Sequence, residues 1–347
     1  MPSPRRHAAR CLVLLFVVVS ATGAHAAATV ASTLTARFAA MNGRGWTGGD
    51  ASWSARLPDG RTAWLFGDTF VGGVDHGGRR DPRSLMVHNS LIVEGRTWTM
   101  RTLVGGSAGR PASLVPGRTR DDWYWPGPPV VGHATLQVPM AHIARTGPGA
   151  WDFRVDGTSL AVFTLPALTL RRVSPLVTPP NTNMASAAVT SGRFTYVYGT
   201  RDAWPYGKDA FVARTRAGDL SGRWSYWTGR RWSRRPGKAA PIARGVSDQF
   251  SVLRRGSRWL LITQVPLSNE IDAFSARAPQ GPWRRIGRIA RIPEIAHAFT
   301  YNATVHPEYS RGRTLVLGYN VNGDDMGAVF ADACLYRPRF MTVRLPA

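Results

Sequence analysis

A hairpin that recurs five times, turn residues spread along the whole length and the lack of any linker-like stretch predict an all-β fold, a five-bladed β-propeller. The chain has 347 residues, with 36 glycines and 25 prolines scattered as many short strands require. In the first copy Ala51–Leu57 is a strand, Pro58-Asp59-Gly60-Arg61 turns, and Thr62–Phe66 returns. Asp-Gly between alternating apolar runs is a strong hairpin signal. Asn183–Asp202 repeats the pattern with its turn at Ser191-Gly192, Asp248–Val265 at Arg255-Gly256, and Asn302–Asn322 near Arg311-Gly312. A degenerate copy, Tyr124–Ala144, bends at Gly132-His133. A more polar strand pair follows: Ser84–Val93 and Thr97–Val104 around Glu94-Gly95, Ala210–Gly218 and Trp224–Ser233, Ile271–Pro279 and Trp283–Ile292. Four strands per unit, repeated radially, is propeller architecture. A β-sandwich does not need five similar hairpins, and the coils of a β-helix are shorter than these units.

Residues 1–26 read as a secretory signal, leaving 27–347 as one propeller domain. Arg5, Arg6 and Arg10 give a charged start, Cys11–Ser20 an apolar core, and Ala24-His25-Ala26 a small-residue cleavage site. That core is too short for a membrane span, which needs roughly 20 residues. The expected protein is therefore secreted or associated with the cell envelope, without stable membrane insertion. The formal charge is +23, carried almost wholly by arginine, since Lys208 and Lys238 are the only lysines. The arginines are spread out, Arg230, Arg231, Arg234 and Arg235 coming closest to a block. No nucleic-acid motif accompanies them, so nucleic acid is not an expected partner. Cys334 is the only cysteine after the signal, which excludes an internal disulfide and suggests a buried small hydrophobe.

The tight turns lie at one end of the hairpins, so the other end gathers strand starts, strand exits and the longer connections 69–84, 203–209, 266–271 and 322–327. Long loops on a rigid scaffold make better sites than short turns. Pairing arithmetic identifies what meets there. Partners in the first hairpin sum to about 119, which makes Asp50 and Asp68 neighbours at its open end. The same logic puts Asn183 opposite Thr200 with Arg201 and Asp202 next along, Asp248 near Thr263 and Gln264, and Asn302 opposite Asn320. Acids are scarce, 21 in all, and Asp59, Glu94, Asp156 and Asp219 read as ordinary turn residues. Burying a carboxylate is costly, and two close ones push their pKa values apart, which suits one as acid and one as base. Glu270, in the loop after the fourth hairpin, is a third candidate. Expected to bind substrate on this rim are Asn89, Trp125, Asn183, Arg201, Asp202, Asp248, Gln264, Asn302, His306 and Asn320, although a lone strand histidine more often packs than binds. There is no GxSxG, HExxH, CxxC, phosphate loop or dinucleotide fingerprint.

Seven segments together carry a family resemblance: GGDASWSARLPDGRTAWLFGDTF from Gly48, HNSLIV from His88, YVYGTRD from Tyr196, SDQFSV from Ser247, QGPW from Gln280, YNATVHPE from Tyr301 and LGYNVN from Leu317. Over about residues 40–345 the chain resembles an actinobacterial five-bladed propeller family, formerly a domain of unknown function, that includes endo-D-arabinanases. More distantly it is similar to arabinanase- and invertase-type furanosidases. The resemblance implies hydrolysis of arabinofuranosyl linkages, with Asp50 and Asp68 as catalytic candidates and Glu270 an unmatched third. Asp50 would serve as base or nucleophile and Glu270 or Asp68 as acid. The partner would be a polysaccharide, arabinogalactan or lipoarabinomannan, met by a monomer. No cofactor or catalytic metal is expected; the resemblance leaves room for a structural calcium or sodium ion. The alternative is a glycan-binding propeller without catalysis.

Overall fold

The computed structural model describes residues 27–107, 109–203 and 207–345. The expected signal segment 1–26 and the middle of the 203–209 loop lie outside the described residues.

The hairpins form where turn chemistry puts them. Gly60, Gly192, Gly256 and Gly312 take left-handed φ values of 86°, 57°, 56° and 53°, a conformation that costs any residue carrying a Cβ. The degenerate copy closes differently, with the Gly132 N–H on Thr135 O at 2.8 Å. Around these turns the chain builds antiparallel meanders. The first sheet runs Trp53–Arg56, Thr62–Phe66, Ser90–Glu94, Met100–Leu103. The second runs Asp122–Pro126, Thr135–Arg145, Phe153–Thr164, Leu170–Pro175, and the third Asn183–Ser191, Phe194–Asp202, Lys208–Arg216, Ser225–Trp227, Trp232–Ser233. The fourth is Phe250–Arg255, Arg258–Gln264, Glu270–Ala276, Arg284–Arg291. The fifth has three strands, Ala298–Val305, Thr314–Gly323 and Arg339–Arg344. A separate rim sheet, Gly45–Gly49, Thr69–Gly72 and Leu85–Val87, extends the first hairpin past its open end.

Strand alternation then packs each sheet against two neighbours. Ala63 and Leu65 join a cluster with Leu136, Val138 and Phe163 of the second sheet. Trp64 and Phe66 point the other way, to Tyr309, Val316 and Phe340 of the last sheet. This is the period of two acting on strands buried on both faces. Further clusters join the second sheet to the third, the third to the fourth and the fourth to the fifth. The last sheet thus packs back on the first. Glu94 reinforces that junction: it is buried, and Trp64 Nε1 and the Tyr309 hydroxyl donate to it at 2.7 and 2.6 Å. It is not the solvated turn residue the sequence suggested.

A helix at residues 27–39 was not legible as structure beside the signal. Its Leu34 and Phe38 complete the aromatic core around Trp46, Trp64 and Phe340. Buried Arg337 ties that segment down through Thr47 O, Ala39 O, Met41 O and Asn42 Oδ1. Cys334 is partly exposed, not in the core.

Candidate active site

Asp50 and Asp68 meet where the rim sheet joins the first sheet. Gly49 pairs with Thr69 on one side and Trp53 with Leu65 on the other. Between them the Asp50 N–H reaches Asp68 O at 3.3 Å and the Gly67 N–H reaches Asp50 O at 3.0 Å. Ala51 and Ser52 take left-handed φ of 67° and 45°. For residues with a Cβ such backbone costs of order 1–3 kcal/mol each, and it clusters at functional sites. Gly67 is required: a Cβ there would lie 2.4 Å from Asp50 Oδ1.

The two carboxylates have different surroundings. Asp50 Oδ2 accepts the Tyr301 hydroxyl at 2.9 Å and the Tyr336 hydroxyl at 3.3 Å, from the fifth sheet and the turn Ala333–Tyr336. Burial, and next the charge of Asp68, push the Asp50 carboxyl up to about 7, against the opposing pull of those phenols. Both phenols are themselves pushed well above their ordinary range by burial and by the adjacent acid, so they stay donors. Asp68 instead accepts two N–H groups on Oδ1, from Trp125 Nε1 and from His88 Nδ1, each at 2.9 Å. That pattern serves the anionic form. The His88 ring stacks on Trp123 at 4.6 Å and 18°, and Phe153 meets the Trp125 ring edge-on at 5.0 Å. Asp68 is therefore held by Trp125 of the second sheet and by His88, between the rim strand Leu85–Val87 and the first-sheet strand Ser90–Glu94, and Asp50 from the fifth sheet and the turn beside it.

The rim continues as bonds between sheets. Thr200 donates to Asp248 Oδ1 at 3.0 Å, and the Ser247 hydroxyl to Asn302 Oδ1 at 3.3 Å. Lys208 binds Asp202 at 2.5 Å and approaches Asp248 at 3.5 Å. Asn183 pairs with Thr200 as the arithmetic required, and Arg201 lies over the Phe211 ring at 4.5 Å.

Several predicted rim residues are structural instead. Asn89 is buried; its amide donates to Val115 O and Tyr124 O and accepts from the Val115 N–H, leaving nothing for a sugar. Gln264 is buried with Ser268 O and Thr300 O as acceptors and the Ala303 N–H as donor, which pins the fifth sheet to the fourth. His306 is buried beside Trp64 and Phe340, bonds Ser54 at 2.6 Å, and is driven down to about 3 by burial, so it packs as a neutral ring. Asn320 is buried and accepts from Ser52 at 3.0 Å. Glu270 does not join the aspartates; it opens the third strand of the fourth sheet and pairs with Arg288 at 2.5 Å. Trp125 does reach the site, as a donor to Asp68. Replacing Asn89 with alanine strands three buried backbone groups and is expected to lower unfolding free energy by ~2–3 kcal/mol in urea melts.

Sequence reasoning missed Tyr301, Tyr336 and His88. Tyr301, not Asn302, stands opposite Asn320, because Asn302 sits in a bulge with φ of 53°. A one-residue slip exchanges the faces of a strand. His88 opens the HNSLIV segment, whereas Tyr336 comes from a turn with no periodic signal.

Among the described residues no three His, Cys, Asp or Glu side chains converge as a metal would need. In fold the chain is similar to a protein from Bacteroides ovatus provisionally described as a hydrolase, with a TM-score of 0.77 at 20% identity over 89% of each chain. It is also similar to a GH43_1 enzyme from Xanthomonas citri complexed with xylotriose, with a TM-score of 0.52 at 14% identity over 92% of this chain and 94% of that one. At these identities the likeness is one of fold, the all-β propeller-like fold of GH43 glycoside hydrolases. The chain belongs to the family described as Domain of unknown function (DUF5005), which matches residues 37–345. No curated protein matches it in sequence.

Proposed function

We propose that this is a secreted five-bladed propeller, residues 27–347 after signal removal, that hydrolyses arabinofuranosyl linkages of cell-envelope arabinan. The observation that carries the reading is a pair of adjacent acidic side chains in opposite settings, Asp50 enclosed by phenols and Asp68 held by N–H donors. Glycoside hydrolysis needs one carboxylic acid to protonate the leaving oxygen and one carboxylate to attack or to activate water. On these environments we read Asp50 as the acid and Asp68 as the nucleophile or base, the reverse of the order expected from sequence. Glu270, engaged with Arg288, has no part in it. The polysaccharide would be arabinogalactan or lipoarabinomannan, bound by a monomer, and the fold shared with glycoside hydrolases supports that class of substrate.

Incubation of the protein with purified arabinogalactan, followed by chromatography of released sugars, tests this directly. Release by wild type and its loss in Asp50→Asn and Asp68→Asn is expected. No release by wild type, or equal release by the variants, ends the hydrolase reading and leaves a glycan-binding propeller. Tyr301 is a positioning residue for Asp50, and Tyr301→Phe removes a bond that holds the acid's pKa down. The alkaline limb of kcat/KM, set by Asp50 near pH 7, should then move upward by up to about one unit. An unmoved limb would separate that limb from Asp50.

A further inference from the structure

Two exposed aromatic side chains are joined by ring contacts to the two carboxylates, one from each side. Trp151 is 78% exposed, and no other tryptophan among the described residues approaches that. Its ring lies 6.5 Å from Phe153, which lies 5.0 Å from Trp125, the donor to Asp68. Phe299 is 47% exposed and lies 5.6 Å from Tyr301, the donor to Asp50. Phe299 and Tyr301 share a strand face by the period of two. Exposed Leu267 and Val177 have no such connection to the site.

Both rings are presented rather than loose. The turn carrying Trp151 is closed by Thr146 N–H to Asp152 O at 2.8 Å, Gly149 N–H to Asp152 Oδ2 at 2.7 Å and Phe153 N–H to Trp151 O at 3.0 Å. Phe299 is fixed in register opposite Asn322. A tryptophan left in water forgoes burial of some 150–250 Å². A rigid, exposed ring beside a chemical site is suited to cover the C–H face of a sugar.

The geometry points to Trp151 and Phe299 as two sugar-stacking platforms flanking the acid pair, Trp151 on the Asp68 side and Phe299 on the Asp50 side. This rests on the carbohydrate reading of the site above, and it adds two residues that position substrate without touching the reacting bond. Covering about 55 Å² of one ring with a sugar corresponds to about tenfold in affinity.

Trp151→Ala, Phe299→Ala and the conservative Trp151→Phe separate the two readings, with soluble arabinogalactan as probe. Both alanine variants should raise KM about tenfold with kcat within about twofold, and Trp151→Phe should recover most of the loss. Their melting temperatures should match wild type, since exposed positions contribute little to stability. Affinity electrophoresis through gels containing the same polysaccharide reports binding without hydrolysis. If wild type is retarded but inactive, and both alanine variants migrate freely, the platforms stand and the hydrolase reading falls. If wild type is active while the variants keep its KM and its retardation, the platforms fall and the hydrolase reading stands. A lowered kcat at unchanged KM also overturns the platforms. Wild type neither retarded nor active overturns both.

Discussion

Asp68→Asn is expected to lower arabinan hydrolysis by roughly 10²–10⁴-fold while leaving the fold intact. Asparagine keeps the size and one acceptor oxygen of aspartate, so the bonds from Trp125 Nε1 and His88 Nδ1 to Oδ1 can persist. What disappears is the negative charge that faces the cation developing at the anomeric carbon. Because the charge of Asp68 is the second cause raising the Asp50 carboxyl, its removal also lowers that group toward its ordinary value. Any residual activity should therefore lose its alkaline limb at a lower pH than wild type. Rates across pH 4–9 check both effects. A variant with near-wild rates would show that Asp68 only orients its neighbours, and the reading of the pair would fail with it.

Hairpin arithmetic alone makes Asp50 and Asp68 neighbours, because a tight Asp-Gly turn fixes register and register fixes what meets at the open end. The same arithmetic found Asn183 opposite Thr200. It failed by one residue at Asn302, where a bulge shifted the strand and exchanged Asn302 for Tyr301. Polarity at strand ends was a weaker guide. Gln264, Asn320, His306 and Asn89 are polar because adjoining sheets must satisfy one another's backbone groups where they pack, not because a ligand waits there. Charge environment was beyond reach. Which aspartate keeps the proton depends on Tyr301 and Tyr336, whose approach to Asp50 spans more than 250 residues of sequence. The helix at 27–39 hid for a simpler reason: it directly follows the apolar, alanine-rich signal segment, and its few turns do not stand out from that background as a separate periodic pattern.

Asp50→Asn should abolish hydrolysis to the same degree as Asp68→Asn and yet make the protein more stable at neutral and alkaline pH. Between the ordinary value of 3.8 and about 7, folded Asp50 holds a proton that the unfolded chain has released. Stability thus falls as pH rises through that window, and the full cost is present above pH 7. At 1.36 kcal/mol per unit the shift sets an upper limit of ~4 kcal/mol. Asp50 keeps some solvent contact, so we take ~2 kcal/mol as the expected gain at pH 8. Asparagine mimics the protonated acid and has nothing to titrate, so the gain should shrink toward zero near pH 4. For a chain of this size ~2 kcal/mol corresponds to about 3 °C in Tm. Melts of both proteins at pH 4, 6 and 8 decide the matter: a gain independent of pH would mean that it does not come from the proton on Asp50, and a loss at pH 8 that the phenols stabilise the carboxylate rather than the acid. The expected divergence, activity lost and stability gained by one substitution, is what a site that holds a proton against its own folding energy requires.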